Sequence, residues 1–250
     1  MTDLDLLTKD WRVVPFVVLD VETTGLDIEG TDRFVTGADR VVEIAAARFV
    51  EGVCAGTSTF STLVNPGRPI PEEARAIHGI GDADVADAPS FVEAWPRVVP
   101  LLEGAAVASY NAPFDRPALR AEVIRTLGAD WRGPPMLRAR WIDPLMWVRV
   151  IDRYVKGSGR HKLGAVCARR GVITQDQHRA RADAQAAGAL FVVLRREIEG
   201  YIAKRWKVSP RDRLPLDRFL QMQAQIERED AERFEEWKRK KPLPEGKGET

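Results

Sequence analysis

The chain has 250 residues, of which 44% are hydrophobic, 30% charged and 8% aromatic, and its formal net charge is +1. A chain of this length buries a substantial core, either as one large domain or as a mid-sized domain with an appendage. The composition excludes collagen-like, disulfide-rich and wholly disordered proteins, and the charge excludes a polycation that binds nucleic acid through bulk charge alone. Any basic surface must therefore be local.

Neither export nor a cysteine-based metal site is indicated. Cys54 and Cys167 are far apart and fall in no zinc-site or disulfide spacing, which suits a reducing compartment. The first ten residues are acidic, and no apolar run approaches the roughly 18 residues that a membrane span needs. We expect a cytoplasmic protein that does not associate with membranes.

Short apolar and β-branched runs alternate with helical patterns over the first 200 residues. The first run, residues 13–21, ends in acids and predicts a central strand buried on both faces. Further strands are predicted over residues 40–50, 58–64, 105–110 and 138–142. Helices are predicted over residues 72–77, 91–102, 116–127, 163–170 and 180–199, the last of them ending at Gly200. This order predicts one mixed α/β domain over residues 1–200.

The composition changes after Gly200, and residues 201–250 predict a charged, partly helical extension. Between residues 216 and 241, apolar side chains recur at three- and four-residue steps and form an imperfect stripe, namely Leu216, Phe219, Ile226, Phe234 and Trp237. Isolated helices are marginal in water, so this one needs a partner. We expect a homodimer or protein-partner contact through residues 216–241 in preference to docking on the chain's own domain, and we expect residues 1–200 to fold without the extension.

Two carboxylates stand two residues apart at the end of the first predicted strand. The pleat places Asp20 and Glu22 on the same face, where like charges are costly unless a cation neutralises them. Hard divalent ions such as Mg²⁺ and Mn²⁺ take carboxylate oxygens as ligands. Alone, however, such a pair more often just ends a strand at the solvent.

The surrounding residues change that balance. The sequence VLDVETTGL, residues 18–26, resembles the first motif of the DEDDh 3′-to-5′ exonucleases, the family of the proofreading (epsilon) subunit of bacterial DNA polymerase III, RNase T and oligoribonuclease. ASYNAPFD, residues 108–115, resembles the second motif, and HRARAD, residues 178–183, the third. The resemblance covers roughly residues 12–200, with all three motifs in the family's order.

The resemblance implies an RNase H-like fold, a mixed sheet of about five strands with helices on both faces. It also implies that Asp20, Glu22, Asp115 and Asp183 are ligands of two Mg²⁺ or Mn²⁺ ions, and that His178 is the base that takes a proton from the attacking water. Two such ions activate a hydroxide and stabilise the leaving oxygen, and a neutral imidazole accepts a proton near pH 7. The implied activity is removal of nucleoside 5′-monophosphates from the 3′ end of single-stranded DNA.

A second set of residues is expected to contact the substrate. The motifs supply Thr23, Thr24, Gly25, Asn111 and Phe114, and a basic segment supplies Arg160, Lys162 and Arg179. Residues 153–181 contain eight basic residues against a single acidic one, so positive charge is concentrated beside His178. The other two histidines, His78 and His161, are expected to be solvated.

Several alternatives stay open. An RNA-trimming exonuclease of the RNase T or oligoribonuclease kind fits the same motifs, and so does a non-catalytic binding module that retains the fold. Tyr110 stands where a His is common in the family, which we expect to be tolerated. Residues 26–39 form a longer loop than compact members need, which covers the site, meets a partner, or is a tolerated insertion.

Overall fold

A computed structural model describes residues 3–27, 39–128, 130, 139–174 and 179–240. Its strands form one mixed sheet in the order β3-β2-β1-β4, in which β1 runs antiparallel to β2 and parallel to β4. The elements are α1 (Asp3–Thr8), β1 (Phe16–Thr23), β2 (Val41–Phe49), β3 (Thr59–Leu63), α2 (Glu72–His78), α3 (Asp82–Val85), α4 (Phe91–Leu102), β4 (Ala106–Ala108), α5 (Ala112–Leu127), α6 (Pro144–Ile151), α7 (Leu163–Arg169), α8 (Ala180–Trp206) and α9 (Leu216–Lys240).

Strand β1 is the centre of the sheet, with β2 on one side and β4 on the other. Its first four residues, Phe16 to Leu19, are each at most 1% exposed, as the apolar run predicts. The strand begins at Phe16 and not at Val13, because a turn in which the Val13 N–H donates to the Asp10 carbonyl precedes it. The predicted mixed α/β architecture is confirmed, with helices α4, α5 and α8 packed against the strands.

The described residues form a sheet of four strands, where about five were expected. The segment predicted as the fifth strand makes a single bridge, in which the Ile142 N–H donates to Val107 and the Ile142 carbonyl accepts from Ser109. The backbone groups of the neighbouring residues form hydrogen bonds with a side chain instead. Gln223 of α9 accepts from the Asp143 N–H (3.0 Å) and donates to the Trp141 carbonyl (2.9 Å).

Two helices differ from their predicted bounds. Helix α5 begins at Ala112 and not at residue 116, because Asn111 adopts a left-handed conformation (φ 81°) that starts the helix directly after the strand. Helix α8 continues through Gly200 to Trp206, so the predicted end is wrong. Ile198 and Ile202 are 0% and 3% exposed, and their burial outweighs the roughly 1 kcal/mol that a glycine costs in a helix.

Helix α8 packs closely on the sheet at Gly188. A Cβ atom added at Gly188 would lie 2.1 Å from the ring of Phe49 on β2, so only glycine fits there. The Phe49 ring in turn stacks on Phe16 of β1 with centroids 4.9 Å apart. This packing fixes the distance between α8 and the two central strands.

Although α8 and α9 are long, no described helix is apolar enough to cross a membrane.

The first half of α9 docks on the chain's own domain. Its Phe219 ring stacks between Trp11 (4.2 Å) and Trp147 (5.2 Å), and Leu216, Phe219 and Ile226 are at most 2% exposed. The expected partner or dimer contact is therefore wrong for this part of the stripe. Only the far end is exposed, with Phe234 52% and Trp237 55% accessible. The division of the chain at residue 200 stays a prediction.

Replacing Phe219 by alanine is expected to lower the free energy of unfolding by about 3 to 5 kcal/mol, because a fully buried aromatic side chain is lost from between two tryptophans. Phe234→Ala, on the exposed end of the same helix, is the matched control and should change it by less than about 0.5 kcal/mol. Urea unfolding followed by fluorescence measures both. Similar small losses in the two variants would mean that α9 does not stabilise the domain.

Candidate active site

Three carboxylates from two elements meet at one end of β1. Asp20 and Glu22 point to the same face of that strand, and Asp183 lies in the first turn of α8. One oxygen from each carboxylate lies within 4.8 Å of the others. The chain thus brings together three of the four ligands expected from the motifs.

Like charges at this spacing oppose ionisation. Burial, followed by the charge of Asp183, raises the pKa of Glu22 to about 8. Burial and the charge of Asp115 raise the pKa of Asp20 well above its usual range. A divalent cation would remove this repulsion, and three carboxylates within reach of one another are a suitable donor set for it. The residues present therefore fit an oxygen-ligated Mg²⁺ or Mn²⁺ ion.

Asp115 lies beside Asp20 but is held by donors from the protein. One of its oxygens accepts from the Val21 N–H (3.0 Å), and the other accepts from the Ser109 hydroxyl. Burial raises its pKa to about 7 even though these hydrogen bonds favour the charged form. Ser109, fully buried at the end of β4, was missed from the sequence, because nothing local distinguishes it from an ordinary strand-end serine.

The residues that follow Glu22 form hydrogen bonds with one another and with Asp39 and Arg40. The Thr23 hydroxyl donates to the Gly25 carbonyl (2.6 Å), and the Thr24 hydroxyl donates to Asp39 (2.7 Å). A Cβ at Gly25 would lie 2.5 Å from the Asp39 carboxylate, so a larger residue there would displace that side chain. These bonds fix the end of β1, and the predicted substrate contacts of the three residues stay predictions.

The expectation that His78 is solvated is wrong. It is 5% exposed, and its Nδ1 accepts from the Ile80 N–H (3.0 Å). That bond leaves the proton on Nε2, which lies 3.3 Å from the Thr23 carbonyl and donates to it. Burial lowers the pKa of His78, so the neutral form is favoured. His78 therefore holds the backbone directly after Glu22.

A cavity of about 960 Å³ opens beside Asp183. Its walls include two of the predicted phosphate contacts, Arg160 and Lys162, and the predicted contact Asn111. Arg149 of α6 also lines it, a residue that its sequence context did not single out. Basic side chains from α6 and from the loop before α7 therefore line the same cavity as Asp183. Phe114 is half-buried against the core and does not line the cavity.

Tyr110 and His161 also lie in the cavity wall. The Tyr110 hydroxyl donates to the His161 carbonyl (2.6 Å), which ties the end of β4 to the basic loop at residues 156–162. His161 is half-buried and not fully solvated. Its pKa is lowered by burial and by the charge of Arg160.

Three arginines of the basic segment form ion pairs with acidic residues of the chain itself. Arg169 and Arg170 donate to Asp152, whose pKa is lowered to about 2, mainly by the hydrogen bond from Arg170. Arg179 pairs with Glu43 of β2, while its side chain stays 52% exposed, so its predicted substrate contact stays a prediction. His178 lies outside the described residues, and so do residues 28–38 of the predicted insertion. The base of that insertion is closed by Asp27 and Asp39, which exchange two hydrogen bonds.

The acidic cluster predicts how the stability of the metal-free protein depends on pH. Because the folded pKa values of Glu22 and Asp20 lie above those of the unfolded chain, the folded state binds more protons between about pH 4.5 and pH 8. The free energy of unfolding contributed by these groups therefore falls as pH rises through that window. We expect Mg²⁺ or Mn²⁺ to raise the melting temperature more at pH 8 than at pH 5.

Thermal unfolding at constant ionic strength measures this effect. At 100 times its Kd, a ligand stabilises the folded state by about 2.7 kcal/mol, roughly 5 to 10 °C for a chain of this size. Asp183→Asn should flatten the metal-free pH profile and remove most of the metal-induced rise. A metal-independent melting temperature at pH 8 would contradict a cation site at these carboxylates.

Comparison with known proteins gives consistent matches. A family model described as "RNase_T: Exonuclease" matches residues 17–191. A DNA polymerase III subunit epsilon-like protein of Rhodobacter capsulatus is 37% identical over 195 residues, which are 77% of this chain and 24% of that protein. The chain thus spans about a quarter of that relative. DNA polymerase III subunit epsilon of Rickettsia conorii is 32% identical over 180 residues, 71% of this chain and 72% of the relative.

The fold has solved counterparts as well. The structure of Exonuclease X in complex with 5′ overhanging duplex DNA is 27% identical, with a TM-score of 0.52, and the match covers 76% of this chain and 96% of the other. The RNase H-like architecture expected from the motifs is confirmed, with four described strands in place of five.

Proposed function

This chain belongs to the RNase_T exonuclease family, and on that premise we propose that it removes nucleotides one at a time from the 3′ end of single-stranded DNA in a reaction that depends on divalent metal ions. The observation that carries the proposal is the convergence of Asp20, Glu22 and Asp183 beside a basic cavity. A non-catalytic module has no need to keep three mutually repelling carboxylates together.

The carboxylates would hold two Mg²⁺ or Mn²⁺ ions, with Asp115 as the fourth ligand from the second motif. Ions bound there supply activation of the attacking water and stabilisation of the leaving 3′-oxygen. The chain's own part is to fix the carboxylates before the substrate arrives. Val21 and Ser109 orient Asp115, His78 holds the backbone after Glu22, and the packing of α8 on the sheet places Asp183.

His178 is proposed as the general base, from its place in the third motif. It directly precedes Arg179, which is anchored to β2 through Glu43. Its proton-accepting form is the neutral imidazole, so activity should fall as pH drops below about 6.5.

The basic cavity supports a nucleic-acid substrate. Arg149, Arg160 and Lys162 approach Asp183 from α6 and from the loop before α7, so they can neutralise phosphates of a strand whose 3′ end lies at the carboxylates. DNA is favoured because the relatives at 37% and 32% identity are named for the epsilon subunit of DNA polymerase III.

Digestion of 5′-labelled and 3′-labelled single-stranded DNA with Mg²⁺ or Mn²⁺ tests the proposal. The 5′-labelled strand should shorten stepwise from its 3′ end, and the 3′ label should be released at once as a nucleoside 5′-monophosphate. Asp20→Asn should be as inactive as the wild type in EDTA, and His178→Ala should lose roughly 10² to 10⁴ in rate with little change in metal binding.

RNA, duplex and mismatched strands of the same sequence are the comparison substrates. Faster digestion of RNA would replace the DNA assignment by an RNA-trimming one. Full activity of Asp20→Asn, or cleavage that begins at the 5′ end, would refute the proposed reaction.

The Tyr110 hydroxyl gives a sharper test of the cavity. Tyr110→Phe keeps the ring but removes the hydrogen bond to the His161 carbonyl, so the loop that carries Arg160 and Lys162 loses a tether. We expect KM for single-stranded DNA to rise about 2- to 10-fold, the worth of one hydrogen bond, with kcat nearly unchanged. Tyr154→Phe is the matched control, since Tyr154 is 82% exposed. Equal KM values in the two variants would show that the tether does not affect binding.

A further inference from the structure

A buried carboxylate outside the acidic cluster faces the same site. Glu43 on β2 is the direct cross-strand partner of Glu22 on β1, so the two side chains lie on the same face of the sheet. Its side chain is only 4% exposed. Two acids directly opposite each other on neighbouring strands are unfavourable, so Glu43 requires a compensating partner.

That partner comes from the start of α8. Arg179 donates to both Glu43 oxygens, from Nε (3.2 Å) and from Nη2 (3.0 Å), and the Ala180 N–H donates to one of them (3.1 Å). The carboxylate thus binds a free backbone N–H in the first turn of a 27-residue helix, where a negative charge is favourable. These three hydrogen bonds attach the Glu43 side chain to the start of α8.

The contact bears on the reaction because of what α8 carries. Asp183 is one turn beyond Arg179, and its N–H donates to the Arg179 carbonyl (3.1 Å). The turn that Glu43 holds is therefore the turn that presents Asp183 to Asp20 and Glu22. The segment containing His178 also joins the helix here.

We propose that Glu43 is a positioning residue for the exonuclease reaction: it anchors the first turn of α8 to β2 and thereby sets where the Asp183 carboxylate lies relative to Asp20 and Glu22. This inference rests on the proposed function only in its predicted effect on the rate of the exonuclease reaction. The anchoring of the helix and its effect on metal binding are measurable without nucleic acid. In this assignment the main role of Arg179 is to pair with Glu43, and contact with the substrate is secondary.

The test compares Glu43→Ala and Glu43→Gln with a matched control, Glu122→Gln. Glu122 is also a buried glutamate held by arginine, since it accepts from Arg40 and Arg125, but it belongs to α5 and is not part of the contact between β2 and α8. The measurements are Mn²⁺ affinity by calorimetry on the full chain, amide exchange in the first turn of α8, melting temperature, and kcat and KM on single-stranded DNA.

Glu43→Ala is expected to weaken Mn²⁺ binding and lower kcat by about 10- to 100-fold, the usual cost of losing a group that orients a metal ligand, with KM within about 3-fold. Amide exchange in the first turn of α8 should be faster. Glu43→Gln retains an acceptor for the Ala180 N–H but presents an amide to Arg179, so it should recover part of the loss and remain about 3- to 10-fold below wild type. Glu122→Gln should lower the melting temperature only.

Wild-type Mn²⁺ affinity and exchange in Glu43→Gln would overturn the proposal, and so would losses in Glu122→Gln that match those of the Glu43 variants. If Glu43→Ala does not fold, the comparison of Glu43→Gln with Glu122→Gln decides. If the wild type proves to have no exonuclease activity, the proposed function fails, but the Mn²⁺ affinity and the exchange of α8 still decide whether Glu43 positions Asp183.

Discussion

Repulsion among Asp20, Glu22 and Asp183 is the constraint on which the arrangement of this chain depends. Three carboxylates within 4.8 Å oppose one another, and the pKa of Glu22 reaches about 8 because burial and Asp183 both disfavour its charge. Carboxylates on loops would move apart. Here two lie on the central strand of the sheet, and the third lies on a helix held at close range because Gly188 admits the Phe49 ring. The fold keeps the cluster together at a cost that a cation would offset.

The C-terminal helix belongs to this framework, although its sequence suggests an appendage. Gln223 supplies the hydrogen bonds that a further strand would supply to Trp141 and Asp143. Asp143 in turn caps α6 through the Leu145 N–H and accepts from the Asn111 N–H, so a continuous set of hydrogen bonds runs from α9 to the second motif. Docking α9 therefore stabilises the wall of the site as well as the core around Phe219.

The sequence was sufficient for features that depend on local pattern and insufficient for features that depend on distant contacts. The buried run before Asp20, the pleat that pairs it with Glu22, and the three motifs predicted the central strand, the family and the fold. Ser109 could not be found in that way, and neither could the contact between Glu43 and the start of α8, because each depends on a partner far along the chain. Helix α8 passes Gly200 since buried Ile202 lies beyond it, and an amphipathic stripe such as that of α9 does not reveal what will cover it.

The number of basic residues in a segment does not show which of them face the site. The basic segment at residues 153–181 predicted a phosphate-binding surface, but Arg169 and Arg170 pair with Asp152, and Arg179 pairs with Glu43. The positive charge that faces the cavity comes from Arg160 and Lys162 of that segment together with Arg149 of α6. In the proposed reaction this places the phosphates of the strand along one wall and its 3′ end at Asp183. The hydroxyl of Tyr110, a position where the family commonly has a histidine, links the loop that carries Arg160 and Lys162 to the end of β4, next to the second motif.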